Sequence, residues 1–280
     1  MKTVDCKIIT ETVARLCAEA NIYAGADITG AIAAAAEGES LPIARNVLDT
    51  LLKNAAVARD EGIPICQDTG MAVIFVTLGQ DVHITGGNLC DALNEGVRRG
   101  YRENFLRMSV VRDPVDRVNT GDNTPAVIHF DIVPGEIFEI TAAPKGFGSE
   151  NMSALKMLTP SDGLPGIERF VLDTVTAAGS NPCPPVIVGV GTGGTMEKAA
   201  LLAKRALLRT VGSENPDGMW REFERAMLQK INASGIGPGG FGGRTTALAV
   251  HAEVFPTHIA GLPVAVNIGC HVTRHMTAAL

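Results

Sequence analysis

The sequence contains no run of about 18 apolar residues, the length that a helix needs to cross a bilayer. Its first ten residues lack the apolar core of a secretion signal, so we expect a cytoplasmic protein with no membrane anchor. Positive charge is also scarce, because 24 Lys and Arg stand against 30 Asp and Glu and give a net charge of −6. Nucleic-acid-binding proteins usually carry a basic surplus, so the composition argues against that class.

Aromatic residues make up only 4% of the 280 residues, whereas glycine is common, with 31 residues. There is no Cys-x-x-Cys pair, which argues against a zinc finger or ribbon. A disulfide framework is not expected in a reducing cytoplasm. From composition alone, the six cysteines are interpreted as buried thiols that pack as small hydrophobic groups.

Hydrophobic periodicity predicts helices in the first sixty residues and a mixture of strands and helices afterwards. One early helix is expected to begin at a cap formed by Asp27 or Thr29. Alternating segments at 126–132 and 136–142 flank Pro134-Gly135 and predict a hairpin. We therefore expect a mixed α/β (α+β) fold, helical at its N-terminus and followed by mixed sheets with surrounding helices, as a single domain over residues 1–280.

Three of the six cysteines stand in loops at the ends of predicted strands, beside proline or glycine. Cys66 precedes one strand, Cys183 precedes a second and Cys270 follows a third. Rigid loops at strand ends are where a scaffold presents ligands, so these thiols are candidate metal ligands. In a four-iron cluster, three cysteine ligands would leave one iron open. The other cysteines fall within or near the start of predicted helices and are interpreted as packing residues: Cys6, Cys17 and Cys90.

Four segments carry a family resemblance: 65–70 (ICQDTG), 145–151 (KGFGSEN), 180–185 (SNPCPP) and 262–271 (LPVAVNIGCH). Together and in this order they resemble the α subunit of the class I iron–sulfur fumarate hydratases, a family that includes L(+)-tartrate dehydratase. The resemblance implies an oxygen-sensitive [4Fe-4S] cluster held by Cys66, Cys183 and Cys270. It also implies reversible hydration of a four-carbon (C4) dicarboxylate, fumarate to L-malate, with L(+)-tartrate dehydration as the alternative.

Such a reaction removes a proton next to a carboxylate while hydroxide departs, so it needs a base and a positive charge at the leaving oxygen. Asp68, two residues after Cys66, is the candidate for proton transfer, and its alternative role is an Asx turn onto Gly70. The resemblance implies that Gln67 and Asp68 contact the substrate. The base is either Asp68 or a group of a second subunit.

A dicarboxylate also needs a fixed cation, and Arg107 matches an arginine that binds a substrate carboxylate in the family. The fork of a guanidinium suits that task. Nearby arginines leave the assignment open: Arg98, Arg99, Arg102 and Arg112.

The resemblance further implies an active-site histidine at His258, twelve residues before Cys270. His271 is a candidate supporting group beside the same cysteine. Backbone groups at Gly146 and Gly148 are candidate substrate contacts, although Phe147 interrupts the continuous glycine run that some relatives have there.

Fused members of the family carry a further C-terminal domain, whereas this sequence ends at Leu280. The resemblance therefore implies a separate β subunit, an active site completed at the α–β interface, and an α2β2 assembly or an α dimer. The alternative to an enzyme is that the chain is a non-catalytic metal- or nucleotide-binding module. It would use the amides of the loop Gly191-Thr192-Gly193-Gly194, which matches neither a Walker loop nor G-x-G-x-x-G.

Overall fold

The structure is a computed structural model that describes all 280 residues. It consists of ten strands and eight α-helices, which confirms the mixed α/β fold class. In chain order they are β1 (Lys2–Asp5), α1 (Cys6–Ile22), α2 (Ala26–Gly38), α3 (Pro42–Glu61), β2 (Met71–Gly79), β3 (Val82–Thr85), α4 (Leu89–Glu103), β4 (Val127–Val133), β5 (Phe138–Lys145), α5 (Phe147–Glu150), β6 (Ala154–Leu158), α6 (Gly163–Ala178), β7 (Val186–Gly193), α7 (Met196–Ala206), α8 (Gly218–Asn232), β8 (Ala247–Phe255), β9 (Leu262–Gly269) and β10 (Met276–Ala279). The structure contains no helix with the length and hydropathy of a membrane span.

The chain divides into two compact units. Unit 1 comprises Met1–Ala24, Val57–Phe147 and Arg274–Leu280, and unit 2 comprises Gly25–Ala56 and Gly148–Thr273. The one family domain predicted over residues 1–280 stays a prediction, because compactness alone does not test it.

Unit 1 is built on a four-stranded sheet with the order β10-β5-β2-β4. Helix α1 packs against α4 and against β5, and the shared core contains fully buried Leu16, Ile74, Leu93 and Ile140. Side-chain caps fix where both helices start. At the start of α1, Asp5 Oδ1 accepts a hydrogen bond from Lys7 N at 2.8 Å. At the start of α4, Asn88 Oδ1 accepts one from Cys90 N at 2.8 Å.

The predicted hairpin around Pro134-Gly135 is wrong, because β2 lies between its two strands. Strand β4 pairs with β2 in parallel, and β5 pairs with the other edge of β2 in antiparallel orientation. Both strands were predicted correctly, but an alternating pattern does not name the partner of a strand. Strand β2 is apolar and largely buried, so it occupies the centre of the sheet.

Unit 2 contains a second four-stranded sheet, with the order β6-β9-β7-β8. Strand β7 is buried along its whole length because helices cover both faces of the sheet. Helices α6 and α8 pack on one face, where Val188 and Val190 lie, and α2 and α7 pack on the other. The cap predicted for α2 is wrong: Gly25 occupies the cap position with no side-chain bond, and Asp27 instead accepts from Val211 N at 2.8 Å.

The glycines at 191–193 belong to β7 and not to a phosphate-type loop. Their strand pairs with β8 on one side and with β9 on the other, so the sheet uses these backbone groups. A Cβ at Gly191 would lie 2.1 Å from the carbonyl oxygen of Ala199 in α7. This placement argues against the alternative of an anion-binding loop, and Gly191 is required for close packing of α7 on the sheet.

Candidate functional site

In unit 1, the loop between α3 and β2 carries Cys66, Gln67 and Asp68. The Asp68 N–H donates to Cys66 Sγ at 3.4 Å, and the Cys66 thiol donates to Gln67 Oε1 at 3.4 Å. Each carboxylate oxygen of Asp68 accepts a backbone hydrogen bond, from Gly70 N at 3.0 Å and from Phe147 N at 2.9 Å. The first bond is the Asx turn considered above. The second fixes the other oxygen, so the carboxylate has one orientation.

The carbonyl oxygens of residues 68–70 accept hydrogen bonds from three buried side chains. Arg274 Nη2 donates to the first at 2.5 Å. The Tyr101 hydroxyl lies 2.8 Å from the second and 3.1 Å from the third, and Asn123 Nδ2 donates to the third at 3.2 Å. Burial raises the pKa of Tyr101, so its hydroxyl keeps its proton and acts as a donor. These three buried side chains therefore fix the backbone of the loop, and sequence reasoning missed them.

Arg274 is the most unusual of these residues, because a charged side chain is seldom so fully buried. Only 7% of it is exposed, and its Nε is buried with no hydrogen-bond partner. The sequence signal that could have indicated a role for Arg274 was its position four residues after Cys270, a candidate metal ligand. An arginine in a short tail is typical of an exposed residue, so the sequence did not indicate burial.

Arg107 lies beside this loop through its backbone. Its N–H donates to Thr69 Oγ1 at 2.9 Å, while its side chain is exposed and pairs with no carboxylate. Three of the alternative arginines are engaged with acidic residues, Arg98 with Asp122 at 2.8 Å and Arg99 with Glu95 at 2.7 Å. Arg112 likewise pairs with Asp116, within one exposed loop. Arg102 is exposed on α4. Arg107 is therefore an unpaired cation whose backbone N–H is hydrogen-bonded to Thr69, the residue after Asp68.

The backbone at Gly146 approaches Asp68 closely. A Cβ at Gly146 would lie 3.2 Å from Asp68 Oδ2, and the next amide, of Phe147, donates to that carboxylate. This amide is thus engaged within the protein, so it is not a free donor for a substrate. At Gly148, in α5, the nearest atom to an added Cβ is the Asn181 carbonyl oxygen at 4.0 Å.

In unit 2, the loops of Cys183 and Cys270 lie at the same end of the sheet. Ile187 near the start of β7 pairs with Gly269 at the end of β9, and the two cysteines lie just beyond these residues. His271 Nδ1 lies 2.9 Å from the Cys183 carbonyl oxygen, which links the two loops directly. Val272 N–H donates to Cys270 Sγ at 3.4 Å. Cys183 itself has a φ of 56°, a left-handed conformation that non-glycine residues adopt rarely and often at functional sites.

None of the six cysteines forms a disulfide, and only Cys6 and Cys17 are buried. The expectation of six buried thiols is therefore wrong. Burial raises the pKa of Cys6 and raises that of Cys17 to about 12, so both stay protonated. The three strand-end cysteines are half-buried or exposed. Within neither unit do three His, Cys, Asp or Glu side chains form a group that could hold a metal ion.

His258 lies in the loop between β8 and β9, at the opposite end of the same sheet. Gly193 at the end of β7 pairs with Phe255, so the sheet separates this loop from the Cys183 end by roughly 20 Å. The ring borders a cavity of about 500 Å³ that is lined by Lys198 and Phe255 and by no other predicted site residue. His258 Nδ1 accepts from Ala260 N at 3.2 Å, which leaves Nε2 available to a ligand.

Comparison with known proteins gives a consistent result. The family model described as Fumarate hydratase (Fumerase) matches residues 10–279. The chain is 42% identical over 272 residues to a putative L(+)-tartrate dehydratase subunit alpha of Methanocaldococcus jannaschii, with 95% of each chain covered. It is 32% identical over 273 residues to L(+)-tartrate dehydratase subunit alpha of Escherichia coli K12, covering 96% of this chain and 89% of the relative.

Proposed function

Because the chain belongs to the fumarate hydratase (Fumerase) family and is therefore a hydro-lyase, we propose that it is the α subunit of an iron–sulfur enzyme that hydrates a C4 dicarboxylate. The observation that carries the proposal is the loop of residues 66–70. It presents a thiol, an amide and an oriented carboxylate in succession, beside the unpaired guanidinium of Arg107. A dicarboxylate hydro-lyase needs these groups: a ligand for a Lewis acid, a proton carrier and a cation.

The donor set fits an iron–sulfur group. Cys66, Cys183 and Cys270 form no disulfide and none of them is buried, and backbone amides donate to the sulfurs of Cys66 and Cys270. Hydrogen bonds to sulfur are a feature of iron–sulfur sites, where they tune the reduction potential. We propose these three thiolates as the ligands of a [4Fe-4S] cluster. When bound, the cluster would supply a Lewis acid for the hydroxide that departs in dehydration and adds in hydration.

The remaining roles fall to polar residues of this chain. The guanidinium of Arg107 binds one substrate carboxylate through a two-pronged hydrogen bond, and the Gln67 amide orients the substrate beside Cys66. In the dehydration direction the Asp68 carboxylate, held by the amides of Gly70 and Phe147, takes the proton next to the substrate carboxylate, and in hydration it returns that proton, unless the β subunit supplies the base. Gly146 contributes by leaving room for that carboxylate, and Gly148 stays a proposed backbone contact.

His258 is the second proposed catalytic residue, and its position requires that a second copy of the chain supplies it. Because roughly 20 Å of sheet separates its loop from the Cys183 and Cys270 loops, a substrate held at those thiols would meet the His258 of another chain. Mixing inactive Cys183→Ser and His258→Ala proteins should then restore part of the activity. Failure of the mixture to regain any activity would remove His258 from the substrate site.

Two substrates fit the proposal. Fumarate, hydrated to L-malate, is the first candidate and follows from the family description. L(+)-tartrate is the second, because the M. jannaschii and E. coli relatives carry that name. Since these relatives are named alpha subunits, we propose a separate β subunit that completes the active site. A cytoplasmic location would keep the ligand thiols reduced.

The test is to purify the chain anaerobically, alone and with its β subunit, and to measure iron, acid-labile sulfide and turnover. We expect about four iron atoms per chain, as for one [4Fe-4S] cluster. Fumarate hydration and L(+)-tartrate dehydration assays then assign the substrate. Turnover by the isolated chain should be far below that of the mixture. A colourless anaerobic protein without iron would overturn the cluster, and full turnover by the isolated chain would overturn the need for a β subunit.

A further inference from the structure

The residues from 235 to 243 form a glycine-rich segment in unit 2 that has no part in the proposed chemistry. Its sequence is Gly-Ile-Gly-Pro-Gly-Gly-Phe-Gly-Gly, and every glycine in it has a positive φ, between 63° and 111°. Glycine adopts this left-handed region readily because it has no Cβ, whereas other residues are strained there. The segment therefore follows a backbone path that other residues would not take.

The glycine-rich segment contacts the Cys183 loop, residues 180–184, at both ends of that loop. The Gly239 N–H donates to the Pro184 carbonyl oxygen at 2.8 Å. At the other end, the backbone of Gly240 lies against Ser180, and a Cβ added at Gly240 would overlap the Cβ of Ser180. Only glycine allows this second contact.

Beyond these contacts, the segment is fixed to the rest of unit 2. The Glu39 side chain is buried, and its Oε2 accepts from Arg244 N at 2.7 Å, directly after the segment. A Cβ at Gly243 would lie 2.7 Å from the same oxygen. Near the start of the segment, the Gly237 N–H donates to Oγ1 of buried Thr246 at 3.1 Å. The segment is thus held at both of its own ends while it packs on the Cys183 loop.

Cys183 has a backbone conformation that needs such support. Its φ is 56°, and a residue other than glycine keeps a left-handed conformation only where its surroundings determine it. The Cys183 N–H donates to the Ser180 carbonyl oxygen at 3.0 Å, so the conformation depends on where Ser180 lies. Ser180 in turn packs on Gly240.

We propose that the glycine-rich segment is a positioning element for Cys183, which it holds in the backbone conformation that serves a metal ligand. The inference rests on the proposed function, in which the Cys183 thiolate binds the cluster. Ligands must be held to within about 0.5 Å of their working geometry by the residues around them. Gly239 and Gly240 supply that support through backbone contacts and touch no substrate.

The first test measures amide hydrogen exchange by mass spectrometry on the full chain without its cluster. Gly240→Ala should displace Ser180, and the Cys183 amide should then exchange roughly 10-fold faster or more, because it loses its hydrogen bond. Gly235→Ala is the matched control: its φ is 70°, but nothing lies within 4 Å of the added Cβ. Both variants strain the backbone alike, and only one presses on the Cys183 loop. Equal exchange of this loop in the two variants would overturn the proposal.

The second test is a suppressor. Ser180→Gly removes the Cβ that Gly240→Ala overlaps and leaves the Cα of residue 180 at 3.3 Å from the new methyl group. The double variant should therefore exchange no faster in the Cys183 loop than Ser180→Gly alone. The same acceleration by Gly240→Ala in both backgrounds would overturn the proposal. An unfolded Gly240→Ala chain that Ser180→Gly does not rescue would overturn it as well.

The third test measures iron, acid-labile sulfide and visible absorbance after anaerobic reconstitution. Gly235→Ala should bind as much iron as the wild type, whereas Gly240→Ala should bind at least about twofold less, because a misplaced ligand weakens the site. Ser180→Gly should restore part of that loss. Wild-type iron content in Gly240→Ala would overturn the positioning of Cys183. A wild type that binds no iron would instead overturn the proposed function, and with it the ligand role of Cys183.

Discussion

The guanidinium of Arg274 donates a hydrogen bond to the backbone carbonyl oxygen of Asp68 over 2.5 Å, across 206 positions of sequence. Because this contact is partly buried and fixes the backbone of Asp68, Arg274→Gln should misplace the Asp68 carboxylate without changing any group that touches the substrate. We expect kcat to fall by roughly 10- to 100-fold, since small misplacements at a reacting centre are costly. The KM and iron content should change little.

The control is Arg117→Gln, because the Arg117 side chain is exposed and reaches only the Pro114 carbonyl oxygen. Arg274→Lys should recover part of the activity, because an ammonium can still donate to the carbonyl. If kcat of Arg274→Gln equals that of the control while thermal unfolding shifts, Arg274 stabilises the unit and does not position Asp68.

Asp68→Asn tests proton transfer. If Asp68 is the base, kcat should fall by roughly 10²–10⁴, the usual contribution of a positioned acid or base. The amide cannot accept from both Gly70 N and Phe147 N, because its NH2 group is a donor, so thermal stability should also fall. Unchanged kcat with full iron content would assign the base to the β subunit. A change in KM alone would identify Asp68 as a binding group.

The cysteines should separate into three ligands and three residues that bind no cluster, of which Cys6 and Cys17 are buried and Cys90 is exposed. Serine in place of Cys66, Cys183 or Cys270 should abolish the visible absorbance of the cluster and the activity, because three thiolates are its only proposed protein anchors. Alanine at the other positions should leave both largely intact: Cys6, Cys17 and Cys90. The absorbance of anaerobic protein is the measurement. A complete cluster in Cys183→Ser would overturn that ligand.

Gly146 and Gly148 form a matched pair for substitution by alanine. At Gly146 the new methyl group would press on Asp68 Oδ2 at 3.2 Å, whereas at Gly148 its nearest neighbour is 4.0 Å away. We expect Gly146→Ala to lower kcat by roughly 10-fold or more through displacement of the carboxylate. Gly148→Ala should lower it much less, because the methyl group fits and the backbone groups proposed to contact the substrate are kept. Similar kinetics for both variants would show that the approach of Gly146 to Asp68 is unimportant for catalysis.

Gly191→Ala should destabilise unit 2, because its Cβ would lie 2.1 Å from the Ala199 carbonyl oxygen. Overpacking of this kind costs roughly 1–3 kcal/mol. Gly218→Ala is the control, since nothing lies within 4 Å of that Cβ. Urea unfolding measures both. A stable Gly191→Ala protein that loses nucleotide binding would instead support the phosphate-loop interpretation.

Local patterns predicted which segments form helices and strands, but long-range pairing decided their arrangement. The helical stripe of α3 and the apolar run of β2 were visible in the sequence. The insertion of β2 between β4 and β5 was not, since alternation carries no information on the neighbour of a strand. Strands β1, β3 and β10 were missed because each has only four residues, too few for a periodic signal.

In the candidate site, too, local features were predictable from the sequence and long-range contacts were not. Cys66 and Asp68 were identifiable because they stand together in one short loop. Arg274 was not, because its function depends on burial beneath a loop that lies more than 200 positions earlier. Only the folded chain reveals that an isolated arginine near the C-terminus supports the residue proposed to move the proton.

The inward-held carbonyl oxygens of residues 68–70 have an electrostatic consequence. In a trans peptide the C=O and N–H bonds point in opposite directions, so each carbonyl drawn inward turns the following N–H outward. Arg274 and Tyr101 therefore orient successive peptide dipoles with their positive ends away from the interior. The Gly70 N–H, which reaches Asp68, is one of these ends. Oriented amides of this kind favour a nearby anion, so the buried side chains of Arg274 and Tyr101 help to hold the Asp68 carboxylate at the outer surface of the loop.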